Sequence, residues 1–184
     1  MRYDDLEYVT DWVEHGRFPK IHDTIFNAAV EHLPDDPLLD LCASTGLLGR
    51  RLHDVLNLPA CSQDGDDRAV AMGTEHGVYA DDVPVKLLKL TPDSMPELAD
   101  WMQAHEVATV VARRCLCVLS EAVPFEQTRD LFGDLGIKAV LLEGQTQTSR
   151  ATHPFGHADR QVEALAPVFK LKWSSKHVRF LVRA

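Results

Sequence analysis

Residues 38 to 70 constrain what this chain can fold into more than any other stretch. An apolar run, Leu38 to Leu41, ends in the small residues Cys42-Ala43-Ser44-Thr45-Gly46; a helical pattern follows, then a second run that ends in acid at Asp64. That order predicts a nucleotide-binding βαβ unit. Small residues after a strand let backbone N–H groups approach a ligand at the N-terminus of the next helix. Asp64 stands 20 positions after Ser44, close to the interval of about 20 residues between a glycine-rich loop and its ribose-binding acid in dinucleotide folds. The Gly-x-Gly-x-x-Gly of dehydrogenases is absent, with only Gly46 and Gly49 remaining, so the loop does not fit a NAD site. A plainer reading has Ser44 capping a helix and Asp64 ending a strand, but the features occurring together in this order favour a ligand.

The remaining pattern extends this unit. Apolar spacings of three and four predict two amphipathic helices over residues 4 to 33, broken by Gly16 and Pro19, and Pro34-Asp35-Asp36-Pro37 turns into the first strand. A helix over 46 to 57, with Ser44 or Thr45 as N-cap, leads to a second strand around Ala60 to Gln63. Then come a helix over 67 to 76, a strand over 83 to 90, a helix over 95 to 105 and a strand over 107 to 112. A helix over 125 to 135 precedes a fifth strand over 137 to 143. Gly144 to Gly156 is polar and loop-like, and a helix over 158 to 166 follows. Strands over 168 to 174 and 177 to 182, with only Ser175-Lys176 between them, should pair as an antiparallel hairpin. The expected fold is a single α/β domain: a Rossmann-like three-layer sandwich, its sheet mostly parallel and closed by that hairpin. Residues 1–36 are its helical cover and 37–184 its core.

Length and composition agree. A chain of 184 residues builds one core without metals or disulfides, and 45% hydrophobic with 26% charged residues excludes a disordered or fibrous chain. A net charge of −9 means that any grip on nucleic-acid phosphates needs a local patch; Arg17, Lys20, Arg113, Arg114 and the Lys170 to Arg183 segment are the cations available for one. Cys42, Cys61, Cys115 and Cys117 lie in apolar stretches without Cys-x-x-Cys and read as buried free thiols. The acidic N-terminus lacks an apolar signal region, and no run approaches the roughly 20 apolar residues of a membrane helix. A cytoplasmic protein with no membrane partner is expected.

Three motifs carry a family resemblance. Asp40-Leu41-Cys42-Ala43-Ser44-Thr45-Gly46 resembles the Asp-Leu-Gly-Cys-Gly-Thr-Gly loop of class I S-adenosylmethionine-dependent methyltransferases, with two glycines replaced at Cys42 and Ser44. Asp64-Gly65-Asp66-Asp67-Arg68-Ala69-Val70 looks like that family's second motif, and Val110-Val111-Ala112-Arg113-Arg114-Cys115-Leu116 is similar to its fourth. The resemblance implies S-adenosylmethionine as cofactor. Asp40 and Cys42 to Gly46 would hold its methionine part, Asp64 and Gly65 its ribose, and Thr91 or Pro92 the surroundings of adenine. Ala112 to Arg114 would face the methyl group and the acceptor. Cys42 and Ser44 add side chains where the backbone should approach most closely, which small residues tolerate if φ stays negative.

The acceptor is less constrained. Arg113-Arg114 directly after a strand suits an anionic or carboxylate-bearing acceptor, or is a pair of surface arginines; Arg17 and Lys20 in the helix break are placed to lie over the pocket. His153, His157 and Asp159 have ligand spacing, but Pro154 and Gly156 break the helix that would align them, so no metal is expected and a substrate loop is the better reading. The Asn/Asp-Pro-Pro-Tyr/Phe signature and the Pro-Cys of nucleic-acid methylation are missing after the fourth strand. The implied activity is methyl transfer to a small-molecule or anionic acceptor, with protein or nucleic acid behind it and no general base evident. Two alternatives stay open: a catalytically lapsed binding or assembly protein, or an enzyme that cleaves the same cofactor.

Overall fold

The computed structural model describes residues 4–145 and 153–184. Its elements are α1 (Asp4–His15), a 3-10 turn (Lys20–His22), α2 (Asp23–His32), β1 (Leu38–Leu41), α3 (Leu47–Leu56), β2 (Ala60–Asp64), α4 (Asp67–Glu75) and β3 (Val85–Leu87). A second 3-10 turn (Pro92–Ser94), α5 (Met95–Ala104), β4 (Thr109–Arg113), α6 (Leu116–Leu119), α7 (Phe125–Asp134), β5 (Ala139–Glu143), α8 (Ala158–Leu165), β6 (Phe169–Ser175) and β7 (Val178–Arg183) complete them. The seven strands form one sheet in the order β3-β2-β1-β4-β5-β7-β6. All pairs through β5 are parallel, and β7 runs antiparallel to both β5 and β6. This is the expected three-layer α/β sandwich with its terminal hairpin.

Successive strand residues face opposite sides of a sheet, and here both sides are covered. Leu39, Leu41, Val110, Ala112, Val140 and Leu142 pack in one core with residues of α5, α6, α7 and α8. Leu38, Val111, Ala139 and Leu141 point the other way, onto Ile25, Phe26, Ala28 and Ala29 of α2 and Leu48 and Leu52 of α3. A parallel sheet buried on both faces reads as continuous apolar runs rather than alternating ones, hence the patterns at 38 to 41 and 139 to 142. A third cluster joins Val9 of α1 to Leu47 and Val78, anchoring the first helix over the β1–α3 loop.

Two strand boundaries differ from expectation for one physical reason. β4 and β5 start at Thr109 and Ala139, two residues later than their apolar runs, because the first residues of each run close the preceding helix. Val107 N–H donates to Met102 C=O and Ile137 N–H to Phe132 C=O, with Glu106 (φ +51°) and Gly136 (φ +71°) in the left-handed region; these are Schellman closures. β3 is confined to Val85–Leu87, and Val83 instead bridges Ala80 in a turn. The N-cap of α3 is Gly46 at φ +83°, without a side-chain cap, rather than Ser44 or Thr45. Of the polar stretch 144 to 156, residues 146–152 lie outside the described residues.

Candidate active site

The strand order reverses direction between β1 and β4, and ligands of open parallel sheets sit beyond the C-terminal strand ends at such a switch point. A cleft of about 480 Å³, counted out to solvent, lies there. Asp40, Cys42, Ala43, Ser44 and Thr45 line it from β1 and its loop, Leu47 and Leu48 from α3, and Arg113 from the end of β4. Tyr8 of α1 and Pro19, Ile21 and His22 close it from above.

The loop keeps the backbone of a glycine-rich turn without the glycines. Cys42 has φ +56° and Ser44 φ +55°, with Gly46 at +83°; the condition of negative φ, under which small residues are tolerated here, is not met. Left-handed backbone is costly for L side chains, so surrounding bonds must hold it. Cys42 N–H donates to Gln63 Oε1 (3.3 Å) and Ser44 N–H to Asp64 Oδ2 (2.7 Å). Beneath the loop lies the Tyr79 ring, whose hydroxyl donates to Ser44 C=O at 2.8 Å. A Cβ on Gly46 would overlap that ring, and one on Gly73 would come within 2.7 Å of it and 2.6 Å of Thr45 O. Gly46 and Gly73 are therefore glycine so that the tyrosine can fit.

Asp64 is used differently from a free ribose acceptor. Its Oδ1 accepts from Asp66 N–H and its Oδ2 from Ser44 N–H, each at 2.7 Å, and it does not line the cleft. An ionised carboxylate has about four acceptor positions, so two remain. Asp66 caps α4 by accepting from Arg68 and Ala69 N–H.

The ionisation of the cleft follows from burial. Asp40 accepts from Gly49 N–H at 2.8 Å. Burial lifts its carboxyl to about 7, with Asp64 adding to the rise and the Gly49 amide and Arg113 opposing it. His22 moves the other way, to about 3, because burial and then Arg113, Arg51 and Arg114 all disfavour its cation. Its Nδ1 is buried without a hydrogen-bond partner among the described residues. Cys115, whose thiol donates to Leu41 C=O at 3.3 Å, is held well above the usual thiol range by Cys42 beside it and by burial.

The remaining sequence candidates divide. Arg113 reaches the cleft and donates to Ile21 C=O at 3.2 Å. Arg114 does not line it and pairs with buried Glu143 at 2.6 Å, which Arg113 also approaches at 3.2 Å; two guanidiniums thus share one carboxylate. Ala112 is fully buried in the core. Thr91 caps the turn at Pro92–Ser94 through a reciprocal bond with Ser94, and Gly65 lies against the Lys89 backbone; neither these nor Pro92 lines the cleft. Arg17 is 70% exposed and 3.8 Å from Asp11. Lys20 is exposed and opens the 3-10 turn whose next two residues do the lining. His153, His157 and Asp159 do not gather, Asp159 being paired with Arg179 at 2.9 Å, and no metal-binding group of such residues occurs among the described residues. Cys42 is half-buried and the other three thiols are buried, all unpaired. No helix of the described residues is long and apolar enough to cross a membrane. Sequence reasoning missed Tyr8, His22 and Tyr79; the helix break that singled out Arg17 and Lys20 was the signal for His22, and nothing local marked Tyr79.

Solved structures share this architecture at low identity. The bifunctional kinase-methyltransferase WbdD matches 98% of this chain with 39% of its own, at TM-score 0.58 and 13% identity; the chain thus spans about two fifths of that protein's length. The glycopeptide N-methyltransferase MtfA, complexed with S-adenosyl-L-homocysteine, matches over 91% of both chains at TM-score 0.59 and 13% identity. A TehB-like S-adenosylmethionine-dependent methyltransferase from Corynebacterium glutamicum matches over 98% of both, at TM-score 0.62 and 9% identity. No family model and no curated protein sequence matches the chain. The fold is the Rossmann-like fold of class I methyltransferases.

Proposed function

We propose that this chain is an S-adenosylmethionine-dependent methyltransferase, working as one domain whose first 36 residues cover the core. The observation that carries the reading is the backbone at Cys42, Ser44 and Gly46, left-handed at all three positions as a close-approach glycine loop requires, on the wall of a cleft at the switch point. In this reading the Cys42 to Gly46 loop and Asp40 hold the methionine part of the cofactor. The two free acceptor positions of Asp64 take ribose hydroxyls, with Gly65, Thr91 and Pro92 toward adenine. The bound cofactor supplies an electrophilic methyl group on a sulfonium. The chain's own contribution is to bind and orient the acceptor beside Arg113 while Tyr8, Pro19 and Ile21 keep water out, and orientation alone accounts for much of the acceleration of such a displacement. A small or anionic molecule is the acceptor we favour, ahead of protein or nucleic acid. With all four thiols unpaired, we place it in a reducing compartment, the cytoplasm.

Isothermal titration and thermal shift with S-adenosylmethionine and S-adenosylhomocysteine test this. Saturable heat and a raised midpoint are expected; neither at millimolar ligand would overturn it. The side chains of Cys42 and Ser44 on the cleft wall favour a second reading, a lapsed binding or assembly domain. That reading gains if wild type is silent and the double change Cys42→Gly with Ser44→Gly restores binding.

A further inference from the structure

His22 is a buried polar side chain, 9% exposed, on the cleft wall. Its Nδ1 has no partner among the described residues, although a buried nitrogen normally has one. A neutral imidazole keeps one nitrogen that donates and one that accepts. The ring stays neutral because of its burial and the three arginines around it, so the orphaned nitrogen, itself covered, remains a neutral hydrogen-bonding group beside the cleft. Around it the wall has two other characters. Arg113, tied to Ile21 C=O one residue away from His22, brings positive charge that is only partly balanced, since Arg113 and Arg114 share the one Glu143 carboxylate. Pro19 and Ile21 are apolar, and Tyr8 adds an aromatic ring.

We propose that His22 and Arg113 form the acceptor subsite of the methyltransferase reading above, for an apolar carboxylate that carries a hydroxyl group. Arg113 attracts the carboxylate, the Tyr8, Pro19 and Ile21 wall takes the apolar body, and His22 is a positioning residue that hydrogen-bonds the hydroxyl. The inference rests on that reading for its meaning, and it is tested separately.

The probes are mandelate and phenylacetate, which differ by one hydroxyl, titrated into the full chain saturated with S-adenosylhomocysteine. Mandelate should bind about fivefold more tightly, the ratio expected of one net hydrogen bond. His22→Phe should abolish the ratio, His22→Asn, whose amide reaches the Nδ1 position, should retain part of it, and Arg113→Gln should weaken both probes together. The thermal shift given by S-adenosylhomocysteine, unchanged in the His22 variants, shows that fold and cofactor loop are intact. In wild type, the His22 ring nitrogen resonances should move with mandelate and not with phenylacetate, a readout that needs no variant. Equal affinity for both probes, or a ratio that survives His22→Phe, overturns the inference. So does binding of the probes only in competition with S-adenosylhomocysteine, which would assign the pair to the cofactor's own carboxylate. Failure of wild type to bind S-adenosylhomocysteine at all would instead sink the methyltransferase reading.

Discussion

Cys42 and Ser44 sit in left-handed backbone that costs an L residue on the order of 1 kcal/mol, whereas a glycine there loses about 0.5–1 kcal/mol through extra freedom in the unfolded chain. The two effects nearly offset, so Ser44→Gly is expected to change unfolding free energy by less than about 0.5 kcal/mol. Gly46→Ala should behave differently, because its φ is +83° and its Cβ would overlap the Tyr79 ring; the loss should reach about 2 kcal/mol or more. Urea unfolding of both variants makes the comparison, and a Ser44→Gly loss as large as that of Gly46→Ala would show that the serine side chain holds the loop. The identity of the loop was legible in its small residues and in the acid at Asp64. Its conformation was not, since Cys42 and Ser44 look compatible with negative φ until Gln63, Asp64 and Tyr79 are seen to hold them otherwise.

At the level of elements, what the sequence conveyed and what it concealed can be traced to helix ends. Gly77 and Gly136 announced the stops of α4 and α7, and both are left-handed. The stop of α5 is built identically but uses Glu106 at φ +51°, and in both α5 and α7 the apolar residue that closes the helix, Val107 or Ile137, opens the run that reads as strand. Glu106→Gly removes a side chain from the same left-handed backbone without altering the closing bonds, and by the same offset should change unfolding free energy by less than about 0.5 kcal/mol; a larger shift in urea unfolding would contradict this. Tyr79, in the turn after α4, was invisible because its role comes only from packing under the β1–α3 loop. Tyr79→Phe keeps the ring and deletes its bond to Ser44 C=O, so a loss of about 1 kcal/mol is expected, with a smaller thermal shift from S-adenosylhomocysteine. An unchanged ligand shift would mean that the ring alone supports the loop. The alternation of strand and helix and the terminal hairpin were legible throughout, since the two-sided burial that defines β1, β4 and β5 leaves uninterrupted apolar runs, whereas the order of strands in the sheet was not.

For the whole molecule, the two perturbed groups of the cleft oppose each other as pH changes. Asp40 is held at about 7 when folded against an ordinary 3.8. Over that interval the folded chain keeps a proton that the unfolded chain has released, so this group lowers stability as pH rises. His22 is held at about 3 against an ordinary 6.5. Here the unfolded chain binds the extra proton, so this group raises stability as pH rises toward 6.5. Between about pH 4 and about pH 6.5 the slopes have opposite signs, each up to about 1.4 kcal/mol per pH unit, and their contributions nearly cancel in wild type. Neutralising one should expose the other. Asp40→Asn leaves His22 alone, so relative to wild type its unfolding free energy should climb by roughly 2–3 kcal/mol from about pH 4.5 to about pH 6.5. His22→Asn leaves Asp40 alone and should fall by a similar amount over the same range. Urea titrations of the three proteins at both pH values read these differences directly, and curves that remain parallel would show that the cleft admits enough water to leave both groups near their ordinary values.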